Sequence, residues 1–230
     1  PVDQQSNSRL ITLAPSNAEI VEALGCFERV IACETSSDIP EGYRDIERLG
    51  PDLNPDLDRV EELAPDLILS SLSVPGMERV VTRLRTLGCA QLVLAPRSVD
   101  EVMAEIERGA YFLDVPLRGE RVIEDMERQR AALLAQCTSP PRRVYLEWWP
   151  KPMFTPSQEC FSNELISLAG GVNVFKDRLG ASVQIDPQAL IEADPEVCFV
   201  SWCGVPEHKL DPRRLINRAG LERLPSAQRG

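Results

Sequence analysis

Residues 56–71 read DLDRVEELAPDLILSS, and residues 186–201 read DPQALIEADPEVCFVS. At one constant offset Asp56 meets Asp186, Glu62 meets Glu192, Pro65 meets Pro195 and Ser71 meets Ser201. In each copy a helix ends at a proline and runs into a short apolar stretch. A helix feeding a buried strand is half of a βαβ unit, and such units build parallel sheets. The chain therefore reads as two similar α/β lobes.

Working outward, the first lobe alternates strand and helix signals. Residues 9–13, 29–33, 66–71 and 91–95 are apolar runs of strand length. Ser16-Asn17-Ala18-Glu19 has the form of a capping box, and its helix stops at Gly25. Asn54-Pro55 reads as an N-cap followed by proline at the first helical position. In the second lobe, residues 143–147 and 197–201 read as strands, and helices start at Ser162 and at Asp186-Pro187. Between the lobes Ser98-Val99-Asp100-Glu101 opens a helix to about residue 113, Pro116 breaks it, and a second helix runs to Gln136. That second helix would be roughly 30 Å long, enough to link two lobes. The expected organisation is a first Rossmann-like lobe over 8–113, a linking backbone helix over 114–141 and a second lobe over 142–230 that lacks a final strand and helix. In parallel sheets ligands bind beyond the carboxyl ends of the strands, so the expected site is a cleft between the lobes, walled by loops of both.

The formal net charge is −11, with 25 basic and 36 acidic residues, and no basic patch of the kind a phosphate backbone needs, which argues against nucleic acid. The longest apolar runs are far too short to span a bilayer. Seven cysteines without a CxxC pair read mainly as small buried thiols, and a single histidine excludes a His-rich metal site. There is no P-loop and no glycine-rich dinucleotide fingerprint. Cys203, Glu207 and His208 share one loop without an orienting constellation, so a thiol enzyme is disfavoured and no catalytic residue or catalytic cofactor is assigned.

The strand-end loops carry the candidate ligand-binding residues. In the first lobe these are Ser16, Asn17, Ser36, Asp52, Ser73 and Val74. In the second they are Trp148, Trp149, Phe154, Ser182, Val183, Gln184, Trp202, Cys203, Gly204 and His208. All three tryptophans follow expected strands, either as ordinary packing or as a flat apolar wall for a ligand, with hydroxyl and amide groups around it to fix orientation. His208 is either an exposed loop histidine or an axial ligand to a cobalt or iron centre. Arg97 and Lys151 are the cations visible at the rim.

The motifs Leu13-Ala14-Pro15-Ser16-Asn17-Ala18-Glu19, Asp38-Ile39-Pro40, Ala64-Pro65-Asp66-Leu67-Ile68, Gly170-Gly171-Val172-Asn173-Val174-Phe175 and Asp194-Pro195-Glu196, in this order, cover residues 9–205. They resemble the helical-backbone (class III) substrate-binding proteins of ABC importers, and within them the cobalamin-binding branch. The resemblance implies a monomeric periplasmic or extracytoplasmic protein, lipid-anchored or otherwise peripheral to the membrane. It would bind cobalamin or another corrinoid and deliver it to a permease dimer and its ATPase. Haem or a ferric siderophore is the alternative ligand, and a cytoplasmic corrinoid chaperone or sensor the alternative role. It further implies permease docking through Asp58 and the matching position of the second lobe, where Gln188 stands and Asp186 and Glu192 are the nearby acids. Ser36 and Asp52 occupy positions where the family pattern implies aromatic wall residues, and Ala169 replaces one cysteine of its cysteine pair.

Overall fold

The computed structural model describes residues 8–43, 45–74, 76–202, 205, 207–224 and 226. By its internal contacts the chain divides into two compact units, residues 1–96 with 100–126 and residues 97–99 with 127–230.

The first unit runs β1 (Leu10–Thr12), α1 (Pro15–Ala23), β2 (Val30–Cys33), β3 (Glu47–Arg48), α2 (Leu57–Leu63), β4 (Leu67–Ser71), α3 (Met77–Leu84), β5 (Ala90–Leu94) and α4 (Val99–Phe112). Its five strands are all parallel, in the order β3-β2-β1-β4-β5. Alternation along the strands sends Leu10 and Leu69 to one face and Ile11 and Ile68 to the other. On the first face they pack with Val21, Leu24 and Ile106 of or beside α1 and α4; on the second they pack with Val60, Val80 and Leu84 of α2 and α3. Each fully buried leucine contributes about 1.5–3 kcal/mol, so both layers are secured mainly by this burial. The next helix, α5 (Pro116–Gln136), divides between the two units at Met126. It lies so close to α4 that a Cβ on Gly119 would fall 2.5 Å from that of Ala110.

The second unit runs β6 (Arg142–Glu147), β7 (Trp149–Pro150), β8 (Met153–Pro156), α6 (Ser162–Leu168), β9 (Gly171–Asn173), β10 (Ser182–Ile185), α7 (Pro187–Ala193), β11 (Val197–Val200) and α8 (Arg213–Ile216). Strands β11-β6-β9 form a parallel sheet, and β10-β8-β7 form a separate antiparallel one. The sequence reading took the residues of the antiparallel sheet as loops. Pro150 and Pro152 interrupt the strand signal there, and proline is tolerated at a sheet edge. Tyr145, Met153, Phe175, Leu190, Leu215 and Leu221 form the core. The Gly171–Phe175 motif is scaffold: the Asn173 amide donates to Pro156 O and Asn163 Oδ1 and accepts from the Phe175 N–H, each at 2.9 Å.

The internal repeat reaches atomic detail. The carboxylates of Asp56 and Asp186 accept from Arg59 N at 3.0 Å and Ala189 N at 2.8 Å, capping α2 and α7. Both helices stop on a non-glycine residue in the left-handed region, Ala64 and Asp194, each with φ 44°. That conformation costs about 1–2 kcal/mol. An arginine closes each seam: Arg9 donates to Leu63 O at 2.7 Å and Arg143 to Asp194 O at 2.9 Å. The backbone N–H groups of the same two arginines donate to Asp66 and Glu196, at 2.8 and 2.9 Å.

Two expected caps are corrected. Proline cannot supply an N–H and its φ is already helical, so Pro15 is the first residue of α1 and Ala14 the N-cap, without a side-chain cap from Ser16. Asp56, not Asn54, caps α2, and Pro55 precedes that helix.

Candidate functional site

Parallel strands bring their carboxyl ends to one edge of a sheet, and the loops that follow them collect there. In the first unit this places Ser16, Ser36, Ser73 and Val74 exposed and Asp52 half-buried. Their surroundings are self-organised. The buried Glu34 carboxylate accepts from the Ser36 N–H and the Ser37 hydroxyl, and Arg48 bonds Glu34 O at 3.0 Å and Ser37 O at 2.8 Å. The Ser73 hydroxyl lies 2.7 Å from that of Ser71, and Asp52 accepts from Leu53 N at 2.8 Å. Asn17 differs from the expected rim residue: it is fully buried, and neither of its amide atoms has a protein partner among the described residues. Its position in the first turn of α1, facing the core that Ala18 and Val21 also enter, removes it from the surface.

In the second unit the antiparallel sheet sorts the expected residues by face. Trp149, Phe154 and Gln184 lie in one register row, and Ser182 is two residues from Gln184, so these four share a face. Trp149 is exposed and Phe154 half-buried on it. Val183 pairs with Thr155 on the opposite face and packs on the core. Trp148 is half-buried where β6 leads into β7, its N–H donating to Phe154 O at 2.8 Å.

Trp202 follows the carboxyl end of β11 and is 5% exposed. Its indole N–H donates to Glu147 Oε1 at 2.9 Å. Glu147 ends β6, is fully buried, and also accepts from the Tyr145 hydroxyl at 3.1 Å and from both terminal nitrogens of Arg218, one of them at 2.7 Å. Burial, together with the negative Glu147, pushes the Tyr145 phenol far above its ordinary value, and the Glu147 carboxylate raises the Arg218 guanidinium. Tyr145 is thus a fixed neutral donor and Arg218 a fixed cation, and the cluster clamps one edge of the Trp202 ring. The other side of the ring faces a recess of about 520 Å³, lined by Trp149, Pro150, Trp202, His208, Lys209 and Arg214 among others. The Arg214 guanidinium stands over the Trp202 ring, 5.7 Å from its centroid.

Three residues singled out from the sequence therefore meet in one recess: Trp149, Trp202 and His208. Cys203 and Gly204 lie outside the described residues. Glu147, Arg218, Lys209 and Arg214 were missed. Of the cations expected at the rim, Lys151 accepts at its backbone carbonyl from the Trp149 indole N–H at 3.0 Å, which orients that ring. A second recess of about 510 Å³ lies along β11, beside Val197, Cys198, Leu215 and Leu224, and contains none of the residues singled out from the sequence. Among the described residues no group of three or more His, Cys, Asp or Glu side chains could hold a metal ion, and no helix is long and apolar enough to cross a membrane.

The two expected docking positions are structural equivalents, each the second residue after a capping aspartate. Asp58 on α2 has a side chain 93% exposed. Gln188 on α7 is exposed and donates to Glu192 at 2.9 Å.

Comparison with known proteins places this geometry in context. The chain is 27% identical over 198 residues to the vitamin B12-binding protein of Yersinia pestis (strain Pestoides F), covering 86% of this chain and 70% of the relative. Its fold matches the crystal structure of the periplasmic vitamin B12 binding protein of Vibrio cholerae with a TM-score of 0.78 at 27% identity, over 96% of this chain and 85% of that one. The periplasmic heme-binding protein of Roseiflexus sp. RS-1 in apo form matches with a TM-score of 0.83 at 25% identity, over 97% and 87%. The family model described as periplasmic binding protein matches residues 10–230, so the chain belongs to the periplasmic binding protein family.

Proposed function

We propose that this chain is the extracytoplasmic substrate-binding component of an ABC importer and that its ligand is a corrinoid, cobalamin or a precursor. The observation that carries the ligand is the pairing of Trp149 and Trp202 in one recess beside Pro150. The exposed Trp149 indole and Pro150 offer a flat apolar wall that suits the face of a macrocycle, and Glu147 and Arg218 fix the buried Trp202 at the edge of the same recess before ligand arrives, which lowers the ordering cost of binding. A corrinoid brings its cobalt already held by the ring, so it needs no protein metal ligand. The relatives named for vitamin B12 support this reading. Delivery would use Asp58 and the neighbourhood of Gln188 against a permease dimer and its ATPase, with the protein working as a monomer.

A haem ligand is the second reading, favoured by one observation: His208, the sole histidine, lines the same recess, and imidazole is a common axial ligand of haem iron. Calorimetric titration with cyanocobalamin, cobinamide and haemin separates the two. The corrinoid reading expects binding of a corrinoid that Trp149→Ala weakens by about 2 kcal/mol, roughly 30-fold, the loss typical of an anchoring aromatic, while His208→Ala leaves it in place. Binding of haemin alone, with a Soret band altered by His208→Ala, would discard the corrinoid and keep the fold.

A further inference from the structure

The recess that holds the two indoles also gathers positive charge. In a chain of net charge −11 with only three lysines, Lys209, Arg214 and the sole histidine line one concavity, and no carboxylate side chain lines it among the described residues. Several other cations of the second unit are already paired. Arg143 pairs with Asp194, Lys176 with Asp177, Arg213 with Asp211 and Arg218 with Glu147. Lys209 and Arg214 form no ion pair with any described residue. Arg213 and Arg214 are adjacent, yet only Arg213 is engaged side chain to side chain by Asp211, at 2.9 Å. Backbone hydrogen bonds close the short turns that carry the charges: Leu210 N donates to Glu207 O at 2.9 Å and Arg214 N to Asp211 O at 3.0 Å. A concavity with an aromatic wall and two cations at its edge, Arg214 also lying within the field of Asp211, is complementary to a flat ligand that carries a negative group on its periphery.

We propose that Lys209 and Arg214, with His208 beside them, form a cationic corner that recognises an anionic substituent, a phosphate or a carboxylate, on a ligand whose face rests on Trp149. This rests on the placement of the ligand in that recess, but not on which macrocycle it is. For a corrinoid the anion is the phosphate that links the ring's side chain to its nucleotide; for haem it is a propionate. The protein would then select the phosphate-bearing corrinoid over the neutral-side-chain precursor, a choice made away from the metal.

The test compares ligands that differ in the anion. The full chain is titrated with cobinamide, cobinamide phosphate and cyanocobalamin, and with haemin and its dimethyl ester. The phosphate-bearing corrinoids should bind about 10- to 100-fold more tightly than cobinamide, the range expected of one or two charge-assisted contacts. Lys209→Gln combined with Arg214→Gln should abolish that ratio by weakening the phosphate-bearing corrinoids more than cobinamide, and Arg213→Gln should preserve it. Equal affinity for cobinamide and its phosphate, or equal weakening of both by the double variant, overturns the proposal. If only haemin binds, the corrinoid reading falls, and the dimethyl ester decides the anion in the same way. If no macrocycle binds, titration with pyrophosphate, followed by tryptophan fluorescence, decides. A response lost in the double variant upholds the cationic corner without the macrocycle, and no response removes both.

Discussion

Replacing Arg218 by methionine tests the buried cluster beneath Trp202. The substitution keeps most of the aliphatic bulk but leaves the fully buried Glu147 carboxylate with two neutral donors, Tyr145 and Trp202, and no cation. The Arg218 side chain is itself only 14% exposed, so little water can replace it. Removing one partner of a buried, hydrogen-bonded pair typically costs about 3–5 kcal/mol, whereas removing both costs far less because no uncompensated charge remains. At a slope of about 2 kcal/mol per molar urea, the unfolding midpoint should drop by about 1.5–2.5 M. Glu147→Gln added to Arg218→Met should recover a large part of that loss. Tryptophan fluorescence is the natural assay, because all three tryptophans lie in the second unit and report its unfolding alone. A loss below about 1 kcal/mol, or a double variant no more stable than Arg218→Met, would refute the reasoning, since it would mean the charges are solvated or uncoupled.

Three other outcomes follow from local geometry. Burial holds the Glu105 carboxyl above its ordinary value despite the Ala95 N–H it accepts, so the unfolded state ionises first; stability is lost as pH rises through the window between the ordinary and the folded value, and Glu105→Gln, which cannot ionise, should gain in melting temperature over the wild type from about pH 4 to pH 7. A melting-temperature difference that does not move with pH would contradict this. Gly119→Ala should cost about 1–3 kcal/mol in denaturant unfolding, because the new methyl meets Ala110 at 2.5 Å where α4 and α5 pack; an unchanged midpoint would show that the helices separate freely. Burial pushes the Cys33, Cys89 and Cys198 thiols up, whereas Cys137 is exposed; native-state maleimide labelling mapped by mass spectrometry should modify Cys137 before these three, and equal labelling of Cys33 would overturn the packing described around it.

The parallel strands β1, β2, β4, β5, β6 and β11 were legible because each carries an apolar run bounded by turn signals, whereas β3 (Glu-Arg) and β9 (Gly-Val-Asn) are too short and polar to show one. Ser182-Val183-Gln184-Ile185 carried an equally readable alternation, with Val183 and Ile185 toward the core, but its short length and the prolines around β7 and β8 hid the antiparallel sheet. The gathering of Trp149, Trp202 and His208 could be anticipated from strand ends alone. What could not be read is how Trp202 is held. Its partner Glu147 is 55 positions away, and Glu147 is itself 71 positions from the arginine that neutralises it. Lys209 and Arg214 were invisible for the same reason. They lie in a loop and a one-turn helix with no periodicity to tie them to Trp149, and only tertiary packing makes them neighbours.

The arginine clasp seen at Arg9 and again at Arg143 bears on how such a protein can change its ligand. Its partners are main-chain atoms at a helix stop and the carboxylate that opens the next strand, all at the amino ends of the strands. The recess and the first unit's serine-rich loops lie at the opposite, carboxyl ends. In the first unit the clasp and the serine-rich loops thus occupy opposite ends of the sheet, whereas in the second unit the Glu147–Arg218 cluster ties the carboxyl end to stability as well. A unit partitioned as the first is can drift between related cargoes through loop changes alone, which is a physical basis for evolvability, and it marks those carboxyl-end loops as the segments to exchange when redirecting specificity.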